Sequence, residues 1–460
     1  MYAIVFLALS VPTPTDALDW ALTDQLSIPE ESRPFQRYLW LPPWFDSPKD
    51  AAAVNFAINT AASHSSTIVR PRVIANGWML AYDLRQLAPN PTVRSRLTST
   101  WDSLAINEPY FHVTENNAET REPYLAPHLN GTKGQILTTT QGSVALVYRA
   151  DWFISKLMNT HYYEFMQIED LDLNGVAETV GVDFEKSVRL NADQRVGIAV
   201  SGVSESVRRI DRFQGIGGRE NTGVWFGTWD TKKTASGVQK NPLANLIKFF
   251  PDGGEAIYER QNGMHGFVIY NANRELVKAG DTELVTDYLV PGAHDKAIRP
   301  SISCIRCHGP HQGLWDAPNH IKALFDAGEV DITGDEEANA RIAGQYLGNF
   351  DTRIELARTH YQTAVRKVTV SPQLELGLTV EEVSTQISKI YGDYVYNTVT
   401  PQQAALELGF DDASALKDQV KTTAYRNVTM SLLRINVPVR RESWEEIYAS
   451  ARLLSLGEVP

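Results

Sequence analysis

The feature that most constrains this chain is the segment Cys304-Ile305-Arg306-Cys307-His308, which contains the only two cysteines in 460 residues. The order Cys-x-x-Cys-His is the attachment sequence of a c-type haem. Two thiols at a fixed short spacing can add to the two vinyl groups of one porphyrin, and a histidine that follows at once can reach the iron from the same face. Haem iron held by a proximal histidine is a common mode of ligation. The sequence therefore predicts one covalently bound haem c, with Cys304 and Cys307 as anchors and His308 as the proximal ligand.

Three other interpretations of the cysteine pair remain open, but each lacks a companion feature. A thioredoxin-like redox pair is expected near a βαβ pattern, and none is evident around Cys304. A structural zinc site needs further cysteine or histidine ligands at zinc spacing. A structural disulfide between Cys304 and Cys307 would close a very small loop. A covalently attached haem is the interpretation that the motif favours.

Length and charge limit the class of protein. A chain of 460 residues suggests about three domains. Its 43% apolar, 21% charged and 10% aromatic residues are typical of a globular protein. The net charge of −12 argues against nucleic acid and anionic membranes as partners. A redox partner protein is expected; its identity and the oligomeric state, a dimer included, stay open.

The first ten residues, 1–10, are largely apolar and resemble the central region of a secretory signal. They lack a basic start and a clear cleavage site, so whether the signal is complete stays open. The run is too short to span a bilayer, and no later run approaches that length. Because bacteria attach haem to these thiols outside the cytoplasm, we expect an exported protein of the periplasm or cell envelope without a transmembrane segment.

The residue patterns predict an α+β chain of three consecutive units. Residues 16–140 read as an N-terminal α/β unit, 141–320 as a mixed, β-rich haem unit, and 321–460 as a helical C-terminal unit. The first contains a helix that Ser47 caps and Pro48 opens.

Further local patterns identify individual elements. In the predicted haem unit, 267–270 and 275–277 form a hairpin around an Asn-containing turn. In the helical unit, capping boxes predict helix starts at three pairs: Thr379 with Glu382, Thr400 with Gln403, and Ser443 with Glu446.

Taken in order, several short segments resemble those of a known family, the large single-haem cytochromes of planctomycetes and some other bacteria. The resemblance covers nearly the whole chain, and it implies a monohaem c-type protein without implying a specific activity. The landmarks are Arg37-Tyr38-Leu39, Ala150-Asp151-Trp152-Phe153, Ser201-Gly202-Val203-Ser204 with Arg208 and Arg209, Asp252-Gly253-Gly254-Glu255, Asn262-Gly263, the segment 303–308, Ala404-Ala405-Leu406-Glu407-Leu408-Gly409, and Arg441 with Trp444-Glu445.

Two positions depart from that family. Met264 and His265 stand where the family usually has an apolar residue and glutamine, and Val207 replaces an expected asparagine. The first departure introduces two candidate ligands for the distal iron position. His360 is a weaker candidate for that position.

Further histidines extend the list of distal candidates, and an open site is an equal alternative. His320 and His294 are candidates as well, whereas His311 follows His308 too closely to reach the other face of the haem. A single histidine is more often a surface or hydrogen-bonded residue than a ligand, and Met264 can fill a gap in the core. The first methionine downstream of the motif, Met430, is remote in sequence.

Charged residues elsewhere suggest two further sites. Arg306 and Arg299 are candidates to bind the haem propionates through charge-assisted hydrogen bonds. The segment 170–175 resembles the first half of a calcium loop, but Gly181 stands where an EF-hand needs a glutamate. We therefore expect 170–175 to form a turn or a helix cap.

The sixth iron position decides among the functions that remain. A bound Met or His favours electron transfer, whereas an exchangeable position permits ligand binding or oxygen and peroxide chemistry. The leading hypothesis is one-electron transfer at the haem. The alternatives are a haem enzyme with an open distal site, peroxidase-like or oxygen-activating, and a haem-based redox or gas sensor.

Overall fold

The computed structural model describes residues 12–45, 47–111, 146–190, 193–199, 206–215, 224–232, 234–246, 249–290, 295–329, 334–422 and 427–455. These residues form an α+β fold, as predicted. The α-helices span Pro14–Ser27, Pro48–Ala57, Leu84–Leu87, Pro91–Ala105, Ala150–Leu157, Tyr162–Met166, Leu173–Thr179, Phe184–Arg189, Ile302–His308, His320–Asp326, Glu336–Tyr346, Phe350–Thr369, Val380–Val395, Pro401–Leu408, Ala413–Thr422, Val428–Arg434 and Arg441–Ser455.

The chain divides into two compact units, each built from non-consecutive segments. The first comprises Met1–Ala51, Arg70–Ser155 and Lys389–Pro460, and the second Ala52–Val69 and Lys156–Ser388. These limits do not coincide with the predicted ones near 140 and 320. Changes in residue pattern mark consecutive stretches, but they do not reveal which distant stretches pack together.

The first unit contains a four-stranded sheet. Its strands are β1 (Gln36–Trp40), β2 (Arg72–Ile74), β3 (Met79–Asp83) and β4 (Val147–Arg149), in the order β2-β3-β1-β4. β1 pairs antiparallel with β3 and parallel with β4.

Aromatic packing anchors the core of the first unit. The fully buried ring of Trp101 stacks on Phe153 at a centroid distance of 4.2 Å and meets Tyr148 edge-on at 5.3 Å. Aromatic side chains bury large apolar areas and therefore dominate core energetics.

The second unit contains a five-stranded antiparallel sheet in which each strand pairs with the next. Its strands are β5 (Gln194–Ile198), β6 (Arg208–Gln214), β7 (Val224–Asp230), β8 (Gly253–Glu259) and β9 (His265–Asn271). Successive side chains of a strand point to opposite faces. Ile210 of β6 lies opposite Thr228 of β7, and Phe226 of β7 lies opposite Ile257 of β8, so one sheet face carries all four.

The predicted hairpin turn after β9 is present. The amide of Asn271 donates to the carbonyl of Glu275, and the amide of Val277 donates to that of Ile269. The returning segment forms only isolated bridges rather than a full strand.

The predicted helix starts agree with the structure to different degrees. Ser47 Oγ accepts from the amide of Lys49, and the Thr379–Glu382 box is complete, with hydrogen bonds in both directions. Thr400 caps its helix, but the side chain of Gln403 bonds Glu407 instead of returning to the cap.

The prediction at Ser443 is wrong. The helix there begins at Arg441, so Ser443 lies within its first turn. A capping-box pattern reports only local spacing, and residues upstream of Ser443 already have a helical backbone.

Candidate functional site

The Cys-x-x-Cys-His segment forms a short helix in the second unit, Ile302–His308, which we call the motif helix. A strained turn precedes it. Ser301 has φ 73° and ψ −78°, and the Pro300 carbonyl accepts from the amide of Ile302 at 3.2 Å. This is a γ-turn with positive φ, a rare and strained conformation for a residue with a side chain. Ser301 is fully buried, so its surroundings hold the turn in place.

The C-terminal end of the motif helix packs closely against Ser384. Ser384 Oγ donates to the carbonyl of Ile305 at 2.7 Å. A Cβ atom on Gly309 would lie 2.2 Å from Ser384 Cβ, so only glycine fits there. The close packing fixes the end of the helix that carries His308.

Cys304, Cys307 and His308 line a common cavity of about 260 Å³. Its other walls are mainly apolar and come from the sheet face described above and from the helix Phe350–Thr369. The apolar residues include Ile198, Ile210, Phe226, Ile257, Phe350 and Ile354. Two thiols and one imidazole therefore face a common apolar space, which is the arrangement that covalent haem attachment requires.

The protonation states of the motif suit this role. Burial, together with the charge of Arg208, lowers the pKa of His308 to about 3. The imidazole is thus neutral, the form that binds a metal ion.

The two cysteines are free thiols rather than a disulfide. Burial raises the pKa of Cys307 to about 12 and raises that of Cys304 well above its ordinary value. Both are therefore protonated at neutral pH and available for thioether formation. The donor set, its neutral imidazole and its apolar walls fit a haem.

A charged cluster interrupts the apolar wall of the cavity. Arg208 Nε lies 2.5 Å from Asp230 Oδ1, and Arg208 Nη1 lies 3.6 Å from Glu255 Oε1. Arg208 and Glu255 line the cavity, as does Thr228, whose Oγ1 donates to Asp230 at 2.9 Å. The charge of Glu255 contributes to raising the pKa values of both motif cysteines, so the cluster acts across the cavity.

This cluster was not predicted from the sequence as part of the site. In the sequence, Arg208 and Glu255 were noted only as landmarks of the resemblance to the monohaem cytochromes. Arg208 and Glu255 lie in separate segments of the sequence, and their shared cavity depends on the pairing of β6, β7 and β8.

The structure does not bring the leading distal candidates into the cavity. Met264 and His265 are buried at the start of β9, where the ring of His265 stacks on Tyr361 at 3.7 Å. Burial lowers the pKa of His265 to about 3. His360 is half exposed, with Nδ1 3.7 Å from Glu259. None of these three residues is among the described residues that line the cavity.

The remaining histidine candidates have other environments. Nδ1 of His320 accepts a hydrogen bond from the amide of Ala199 at 2.9 Å. His311 stacks on Trp315 at 3.5 Å. His294 lies outside the described residues.

The two arginines predicted to bind propionates each pair with an aspartate. Arg306 Nη1 lies 2.9 Å from Oδ2 of the fully buried Asp287, and Arg299 forms two contacts of 2.8 Å with Asp295. Neither arginine lines the cavity within the described chain.

The calcium-like segment has a structural role. Asp172 caps the helix Leu173–Thr179 by accepting from the amide of Gly175 at 2.8 Å. This agrees with the expected helix cap.

No family model, curated protein or solved structure matches this chain. In the described part of the chain, no helix combines the length and apolar character that crossing a membrane requires.

Proposed function

We propose that this protein is a c-type cytochrome that carries one haem and transfers single electrons. Cys304 and Cys307 would hold the haem through thioether bonds, and His308 would be its axial ligand. The observation that carries the proposal is that all three side chains line one apolar cavity. The bound haem supplies a reversible one-electron iron couple.

The residues around the motif support such a role. The apolar wall limits access of water, and burial is one of the factors by which a protein sets a haem's potential. Trp315 lines the cavity and is 40% exposed, so the cavity reaches the protein surface there. A redox partner could approach the haem at this edge.

The proposal also assigns the protein a cellular location and a family. Since bacteria form the thioether bonds outside the cytoplasm, we expect the protein in the periplasm or cell envelope. The ordered landmarks that end at Arg441, Trp444 and Glu445 support membership of the large monohaem cytochromes.

Covalent haem attachment can be tested directly. The full chain is produced with bacterial export and haem-attachment machinery, and its intact mass and pyridine haemochrome spectrum are measured. We expect the mass of the polypeptide plus one haem. The double variant Cys304→Ala, Cys307→Ala should lose the haem, whereas the control Ser303→Ala should keep it. A wild-type protein with the mass of the bare polypeptide would overturn the proposal.

A haem enzyme with an open distal side is the second candidate. The observation that favours it is the charged pair Arg208 and Glu255 in the cavity wall, because distal polarity and hydrogen-bond donors decide between ligand activation and electron transfer. An EPR spectrum of the ferric protein separates the two: a low-spin, six-coordinate iron supports electron transfer, and a high-spin iron supports the enzyme.

A further inference from the structure

The buried charges in the cavity wall need an explanation beyond stability. Arg208 and Asp230 are almost fully buried, and Glu255 lines the same cavity. Removing charges from water is costly, and a buried ion pair often stabilises a fold no more than apolar residues of the same size. The ion pair with Asp230 already balances the charge of Arg208, so Glu255 is an additional charge.

Arg208 and Glu255 both have hydrogen-bonding capacity left at the cavity. Two guanidinium nitrogens of Arg208 bond Asp230, Nε at 2.5 Å and Nη2 at 3.2 Å. The remaining nitrogen, Nη1, is 3.6 Å from Glu255, which is too long for a hydrogen bond. Among the described residues, the Glu255 carboxylate accepts no hydrogen bond. One donor and one acceptor therefore face the same space.

The charges of this cluster select the kind of ligand. One positive and two negative groups give the cluster a net negative charge, which disfavours haem propionates and anionic ligands. A small neutral molecule that carries an acidic proton is favoured, because Glu255 can accept the proton and Arg208 can stabilise the remaining anion. Burial raises the pKa of Glu255, as does the charge of Asp230, while Arg208 opposes both. A carboxylate whose pKa is raised toward neutrality is a more effective base.

We propose that Arg208 and Glu255 form a distal site at the haem for small protic ligands of the hydrogen peroxide class. The ligand's proton passes to the Glu255 carboxylate, and the resulting anion is retained beside Arg208. One proton is transferred, and no electrons move in this step. Asp230 is a positioning residue for Arg208. The inference rests on the proposed haem attachment, and it deepens the second candidate function by assigning residues and a ligand class.

Hydrogen cyanide is a suitable probe, because it is a neutral protic molecule that binds ferric haem as its anion. The binding rate is measured by stopped-flow absorption on the haem-loaded full chain. We expect Glu255→Gln to slow binding about a hundredfold, the usual contribution of a positioned base. The matched control is Glu259→Gln on the same strand, since Glu259 does not line the cavity, and it should bind at the wild-type rate.

If Glu255→Gln does not load haem, a second variant tests the same role of the carboxylate. Glu255→Asp keeps the carboxylate and its charge but withdraws it by one methylene, and it should slow binding about tenfold. In addition, Arg208→Lys should increase the dissociation rate of bound cyanide about a hundredfold, because a lost anion-stabilising donor typically has an effect of that size.

The outcomes separate this inference from the proposed function. Wild-type protein without haem would overturn both. Haem-loaded protein in which Glu255→Gln and Glu255→Asp bind cyanide at the wild-type rate would overturn the distal site alone. Haem-loaded wild type that does not bind cyanide would also overturn it.

Discussion

Among single residues, Ser301 combines burial with a strained backbone directly before the motif helix. Its φ of 73° and ψ of −78° cost about 1–3 kcal/mol for a residue with a Cβ atom. Glycine adopts this conformation readily, but it loses about 0.5–1 kcal/mol through greater freedom in the unfolded chain. The relief of strain is the larger effect. We expect Ser301→Gly to raise the free energy of unfolding by about 1 kcal/mol, measured by urea denaturation.

Ser303→Gly is the matched control for this prediction. Ser303 lies within the motif helix, and its Oγ accepts from the amide of Arg299 at 3.0 Å. Ser303→Gly removes this hydrogen bond, which contributes about 0.5–1.5 kcal/mol, so the variant should be less stable than wild type. If Ser301→Gly is destabilised as much as Ser303→Gly, the turn before the helix holds no releasable strain.

The sequence revealed the residues of the motif but not their charged surroundings. Cys304, Cys307 and His308 could be identified as candidates because the haem-attachment pattern depends on fixed local spacing. Arg306 was predicted to bind a propionate, and in the structure it pairs with Asp287. A charge-pairing partner that lies in another segment of the chain cannot be read from the sequence around the arginine.

For the secondary-structure elements, the contact of β8 with β7 and β9 determines where Glu255 lies. A Cβ atom on Gly254 would be 2.0 Å from the carbonyl oxygen of Thr228 and 2.6 Å from the hydroxyl of Tyr270. Because the first neighbour is backbone, the strands must separate to accommodate a methyl group. We expect Gly254→Ala to destabilise the protein by about 2–3 kcal/mol, as overpacked sites typically do.

Thermal unfolding followed by circular dichroism measures the effect of Gly254→Ala. Gly280→Ala is the control, because the nearest atom to its Cβ would be 3.5 Å away, an ordinary contact distance. Equal stability of the two variants would mean that the β7–β8 contact adjusts at no cost.

Local residue patterns predicted some secondary-structure elements but not others. The hairpin turn after β9 and the cap at Thr379 were predictable because a few adjacent residues determine them. β6 was not predicted as a strand, since its buried positions include Arg208, Asp211 and Arg212. Charged residues that pair inside the protein remove the apolar alternation by which a strand is recognised.

In the whole molecule, distant segments meet around Glu407 in the first unit. Its carboxylate accepts from Arg149 at 2.8 Å, from Arg441 at 2.7 Å and from the Trp444 indole at 2.7 Å. Arg149 also pairs with Asp151 at 2.7 Å. These contacts connect residues more than 250 positions apart in sequence, Arg149 and Glu407 being separated by 258. Consecutive units predicted from sequence could not include such a connection.

The Glu407 cluster makes the first unit sensitive to acid. Burial raises the pKa of Glu407, but the charges of Arg149 and Arg441 outweigh it and lower the pKa from 4.5 to about 2. A carboxyl with a lowered folded-state pKa stabilises the protein above its unfolded pKa, and this contribution is lost as pH falls toward the folded value. The shift corresponds to about 3 kcal/mol, lost between about pH 5 and pH 2.

Comparison with Glu407→Gln isolates this contribution from those of other carboxyls. The variant leaves Arg441 without its carboxylate partner, so we expect it to be about 3–5 kcal/mol less stable than wild type at pH 7. As pH falls, wild type loses the Glu407 contribution and the variant has none to lose, so urea unfolding should show the difference shrinking by about 3 kcal/mol. The exposed Glu446 provides the control Glu446→Gln, whose stability should follow wild type at each pH.

The prediction fails if the difference in stability between wild type and Glu407→Gln stays constant from pH 7 to pH 2. The folded protein would then not lower the pKa of Glu407, and the two arginines would stabilise the unit through packing alone.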